Sequence, residues 1–129
     1  MLVNAPAWVY GALSSDVALT ALLASGGGIV LIYPNDFETL PVVSYAVSQT
    51  VSTQDIWDDV PHANDVVATI DIYVRNSELT RPIEVAIDAV MTGLFFTLDF
   101  SEPIGDSSLK TQHVSMRYSR LGVLEEDVA

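Results

Sequence analysis

The sequence has no cysteine. That excludes a disulfide framework, a thiolate nucleophile and a cysteine-ligated metal site, and it fits an intracellular origin. Basic residues are nearly as scarce: 5 Lys and Arg stand against 17 Asp and Glu, a net charge of −12. Lys110 is the only lysine, and Arg75, Arg81, Arg117 and Arg120 are scattered. Such a chain repels DNA rather than clamping it, because phosphate binding rests on Lys and Arg. Long apolar runs are missing too. The most apolar window, GGGIVLIYP at 26–34, falls well short of the roughly 20 residues of a membrane span and is bounded by turn formers. The first residues, MLVNAPAWVYGAL, carry no basic segment, so no signal peptide is expected. Histidine is limited to His62 and His113, and no GxSxG motif offers a nucleophile on a sharp turn.

What is present is patterned apolar residue. Half of the 129 residues are hydrophobic, enough for one packed core and a single domain over 1–129. Val66, Ala68, Ile70, Ile72 and Val74 alternate with Val67, Thr69, Asp71, Tyr73 and Arg75, the period of a half-buried strand. From Pro82 the period changes. Ile83, Ile87, Val90, Met91, Leu94 and Leu98 form a helical stripe, with Glu84, Asp88 and Thr92 opposite. Thr80 is placed to cap this helix and Pro82 suits its first turn.

The remaining elements follow from the same reading. Pro6 to Leu13 and Val17 to Ala24 are short helices, with Ser15 and Asp16 as a cap pair before the second. Ser25-Gly26-Gly27-Gly28 is read as the terminator of that helix. Ile29 to Tyr33 is a short strand, and Pro34-Asn35-Asp36 a turn. Val42 to Val51 is a longer strand with Val43, Tyr45 and Val47 on one face. Residues 52–65 form an acidic loop, residues 99–111 a second loop, and His113 to Leu121 the last strand. Glu125-Glu126-Asp127 belongs to an acidic tail over 125–129. The expected fold is α+β: an antiparallel β-sheet of about four strands covered on one face by a long helix, with short N-terminal helices.

No constellation demands catalysis, and the chain is not expected to be an enzyme or to hold a cofactor. The glycine run lacks the Lys-Ser/Thr of a phosphate loop and precedes a strand rather than a helix. Asp55, Asp58, His62 and Asp65 in the acidic loop are the one candidate metal set, but their spacing does not match a calcium loop and a solvated acidic loop explains them. Glu84 and Asp88 read as solvent-facing. Trp57 amid aspartates packs either onto its own core or into a neighbouring chain. The candidate subunit-interface residues are Ile56, Trp57, Asp58, Asp59, Tyr73, Arg75 and Arg117.

The order of these segments carries a resemblance. VYGALSSDVALTALLASG leads into IYP, then PVVSYAVS, a broken loop, ATIDIYVRN, PIEVAIDAVMTGL and HVSMRYSRLGVL. Over residues 8–124 this resembles the tail-completion, or tail-terminator, proteins of long-tailed bacteriophages, which join tail to head and have the lambda U-like fold. The resemblance implies a structural virion protein of the neck, assembled in a bacterial host. Six copies would form a hexameric ring that caps the tail tube, ends its polymerisation and meets the head–tail connector or stopper protein. DNA would pass through the lumen without specific binding, and no membrane is involved. The same resemblance leaves room for a head-closure, adaptor or minor tail protein. A small metal- or ligand-binding domain built on the acidic loop is the alternative from a different class.

Overall fold

The computed structural model describes residues 5–31, 40–51, 56–57, 60–61, 63–75, 77–106 and 111–123. The predicted turn at 34–36, Tyr33, most of the acidic loop and the tail at 125–129 lie outside them.

The two periods read from the sequence become two elements that share a core. Val66, Ala68, Ile70, Ile72 and Val74 are fully buried on one face of strand β5, Ala63–Val74. Helix α3, Thr80–Gly93, buries Ile83, Ala86, Ile87 and Met91, spacings that keep them on one stripe. Each such Ile or Met contributes about 1.5–3 kcal/mol by leaving water. Two shorter helices join the same cluster: α1, Ala5–Ser15, through Ala5, Val9 and Leu13, and α2, Val17–Leu22, through Leu19. Asp16 caps α2, its Oδ2 accepting from the Leu19 N–H at 2.9 Å.

The other strands are β1 (Gly28–Leu31), β2 (Val42–Val51), β3 (Ile56–Trp57), β4 (Val60–Pro61), β6 (Thr97–Asp106) and β7 (Thr111–Val123). Five of the seven form one sheet in the order β1-β2-β5-β7-β6, and β3 pairs with β4 in a separate ribbon. The expected sheet of about four antiparallel strands is therefore corrected twice. It has five strands, and β1 runs parallel to β2, with Gly28 opposite Val42 and Leu31 opposite Tyr45. The long helix and the two short N-terminal helices all contribute side chains to the core.

The added strand is β6, which the sequence reading placed partly in a helix and partly in a loop. Leu98 keeps the helical spacing from Leu94, but the helix stops at Gly93. The Phe95 N–H donates to Thr92 O at 2.9 Å and the Phe96 N–H reaches back to Met91 O at 3.0 Å. These paired bonds close the helix end, with Phe95 in the left-handed region at φ 67°. Arg120 donates to the Leu94 carbonyl, placing a cation at the helix C-terminus. Its guanidinium also lies 4.9 Å from the centre of the Trp8 ring. At the other end Thr80 is the first residue of the helix rather than its cap: a 3-10 turn, Ser77–Leu79, precedes it, and the cap position, Leu79, makes no side-chain cap bond.

The glycine run does not cap α2 either. That helix ends at Leu22, with Leu23 at φ −98°. Gly26 instead lets the chain touch β2: a Cβ there would lie 2.0 Å from Pro41 O. Gly28 takes φ 72° where the chain turns into β1.

Candidate interaction surface

The sheet has two faces. One meets the helices. On the other, β5 and β7 place Tyr73 opposite His113, Asp71 opposite Ser115 and Thr69 opposite Arg117. Tyr73 is buried, and its ring stacks on His113 at 4.3 Å between centroids. His113 Nε2 lies 2.9 Å from Asp71 Oδ1. Ser44 sits beside Asp71 in register and is fully buried, and its Oγ has no hydrogen-bond partner among the described residues. The Asp71–His113 bond fixes the imidazole against Tyr73, an arrangement that orders the sheet face.

Of the predicted interface residues, Tyr73 and Arg117 thus share this face. Arg117 is exposed and lies 4.0 Å from Asp99 across to β6, an ion pair of small energetic weight. Arg75 is exposed just past the end of β5. Ile56 and Trp57 lie on the β3–β4 ribbon, with Trp57 opposite Val60. Asp58 and Asp59 lie outside the described residues, as do Asp55 and His62 of the candidate metal set. Among the described residues no group of three metal-ligating side chains comes together, and no helix is long and apolar enough to cross a membrane.

The helix side of β6 forms a groove against α3 of about 290 Å³, lined by Arg81, Glu84, Val85, Asp88, Leu98 and Ser101, with Met116 behind. Glu84 and Asp88, read from the sequence as solvent-facing, are half-buried here. Ser101 Oγ donates to Glu84 at 3.3 Å, and the Tyr118 hydroxyl donates to Asp88 Oδ1 at 3.0 Å. Burial first, then the bond to Asp88, holds the Tyr118 phenol well above the ordinary tyrosine range. Asp88 therefore receives a donor that keeps its proton, which is a structural contact.

A second depression, about 340 Å³, opens between α1, α2 and the turn into β1. Its lining is mixed: Tyr10, Leu23, Ala24 and Ile29 with the polar Ser14 and Thr20, together with Gly26 to Gly28. The Tyr10 ring leans on Tyr45 at 5.7 Å. Burial, and to a lesser degree Tyr10, raises the Tyr45 pKa.

Large exposed apolar side chains, which sequence reasoning missed, gather at the two ends of the sheet. Val85, Phe95, Leu98, Phe100 and Ile104 flank the β6 edge; Tyr10 and Leu31 lie at the β1 end, and Val17 is exposed at the start of α2. Phe95 is 81% exposed although its backbone is in a conformation that favours glycine. The available signal was local: a helix end needs a left-handed residue, and the sequence places Phe-Phe there instead of glycine.

No known sequence family matches the chain, and no curated protein does. Its fold is similar to that of a chain in the virion of a native gene transfer agent particle, with a TM-score of 0.68. The match covers 89% of this chain and 91% of that one at 11% sequence identity. At that identity the likeness is one of fold.

Proposed function

We propose that the chain is a structural protein of a phage-like virion, one that assembles into a ring at the end of a tail tube and joins tail to head. The observation that carries this reading is the fold shared, nearly end to end, with a chain of a gene transfer agent virion. The segment order of the tail-terminator proteins supports the finer role. Charge supports it as well: a −12 protomer does not hold passing DNA. In this reading the chain has no catalytic role. Its partners are further copies of itself, the tail tube protein and the head connector; its place is the neck of the particle.

Negative-stain images of the purified protein test the reading. Closed rings with an open lumen are expected. Uniform small particles, both alone and with tail tubes of the particle that encodes the chain, would overturn it.

A further inference from the structure

We propose that the groove between α3 and the edge strand β6 receives an extended segment of a different protein, whose lysine or arginine side chain enters the groove and meets the Glu84 carboxylate. The inference stands apart from the ring reading, since it concerns a foreign partner and needs no second copy of the chain.

Burial and weak pairing at Glu84 carry it. The Glu84 side chain is only 18% exposed. A charge so covered is costly unless it is well paired. Its partners among the described residues are weak. Ser101 Oγ donates at 3.3 Å, long for a hydroxyl donor. Arg81 lies 3.9 Å away, at the outer reach of an ion pair, and its own side chain is 82% exposed. One turn on, Asp88 adds a second carboxylate to the same groove. The lining therefore sets two carboxylates against one guanidinium. A cation entering from outside removes that imbalance.

The walls select the kind of cation. Val85 and Leu98 are exposed apolar side chains, and Met116 lies behind them. A hard metal ion takes about six or more oxygen ligands, and no group of three metal-ligating side chains comes together among the described residues. An apolar stem that ends in a charge suits these walls. The methylenes of a lysine or arginine lie along Val85 and Leu98 while the head group reaches Glu84.

The edge selects what carries that side chain. Strand β6 ends the sheet and, among the described residues, pairs on one side only, with β7. Such an edge accepts an extended segment as an added strand, with alternate side chains entering pockets beside it. Copies of this chain are poor donors of the cation, because each holds 5 Lys and Arg in all. Arg120 is engaged with the Leu94 carbonyl and the Trp8 ring, and Arg117 with Asp99. A net charge of −12 opposes the approach of another copy and favours that of a basic protein.

The probe is the pentapeptide acetyl-Thr-Val-Arg-Val-Thr-amide, titrated at millimolar concentration into isotope-labelled protein and followed by amide chemical shifts. The same peptide with citrulline, a neutral isostere of arginine, is the control. Saturable shifts at Glu84, Val85, Asp88, Leu98 and Ser101 are expected. The arginine peptide should bind about tenfold tighter than the citrulline peptide and lose that advantage at high salt. Glu84→Gln should abolish the advantage and leave the melting temperature unchanged or raised, because it removes a poorly paired charge. A melting temperature that falls in Glu84→Gln would mean the carboxylate serves to hold α3 to β6, and would overturn the proposal. Equal binding of the two peptides, shifts scattered over the acidic surface, or no shift at all would overturn it too. Groove shifts that grow with the protein's own concentration, without peptide, would make a second copy the occupant and sink it as well. Closed rings without peptide binding would sink this inference and leave the ring reading standing; peptide binding by a chain that forms no ring, even with tail tubes, would do the reverse.

Discussion

Gly26→Ala tests whether the glycine run is a close backbone contact rather than a helix terminator. A Cβ at Gly26 would lie 2.0 Å from Pro41 O, 2.6 Å from Pro41 N and 2.7 Å from the Leu40 carbonyl carbon. All three are backbone atoms, so no side-chain rotation relieves the clash. To restore van der Waals contact, the turn and the start of β2 would move apart by roughly 1 Å or more. That movement also breaks the bond from the Gly27 N–H to Pro41 O, 3.0 Å long. Overpacking costs about 1–3 kcal/mol, and the lost hydrogen bond about 1 kcal/mol more. The expected loss is therefore about 3 kcal/mol, a large share of the roughly 5–15 kcal/mol that holds a typical domain together. Gly11→Ala is the matched control. Gly11 is exposed within α1 and a Cβ there meets nothing within 4 Å. Alanine should stabilise the helix by about 0.5–1 kcal/mol. Urea denaturation followed by far-UV circular dichroism measures both, as midpoint shifts at constant slope. If Gly26→Ala stays within 1 kcal/mol of the original, or Gly11→Ala lowers stability, the close-approach reasoning is wrong.

Tyr118→Phe removes the donor to Asp88 and should cost about 1–2 kcal/mol by the same denaturation assay, water replacing part of the bond at the half-buried carboxylate. It should also change the alkaline limb. The folded phenol is held above its ordinary range. Below about pH 10 both states keep the proton; above it the unfolded chain ionises first, so stability falls as pH rises. Tyr118→Phe should make that fall shallower, and an unchanged limb would contradict the assignment. Salt should strengthen self-association, because each protomer carries −12 and screening lengths shrink from about 10 Å at 0.1 M to about 3 Å at 1 M. Light scattering that decreases with salt would point instead to an association held by ion pairs.

The parts of this fold that were legible in the sequence are those whose cause is local. Val66 to Val74 alternate because one face is buried, and Ile83, Ile87 and Met91 recur because one helical stripe is buried. Asp16 caps α2 through its own side chain three residues from its target. What was not legible depends on distant partners. The segment Thr97–Asp106 contains Pro103 and Gly105 and has an irregular register between Leu98 and Phe100, so its period is broken; only pairing with β7 makes it a strand. The parallel contact of β1 with β2 is likewise a matter of topology. Gly26 is a glycine because of Pro41, fifteen positions on, and nothing near it in the chain shows that. The candidate surface was hidden for the same reason. Leu98 and Phe100 read as ordinary apolar residues until β6 is known to be an edge, and Glu84 and Asp88 read as solvent-facing until Ser101 and Tyr118 are known to reach them.

The central claim, the proposed assembly of copies into a closed ring, is tested most directly by sedimentation equilibrium at high salt over a wide range of protein concentration. The account predicts a discrete assembly of six protomers that stops growing once closed. A species that ends at two protomers, or a protomer that stays single even when tail tubes are added, would contradict it.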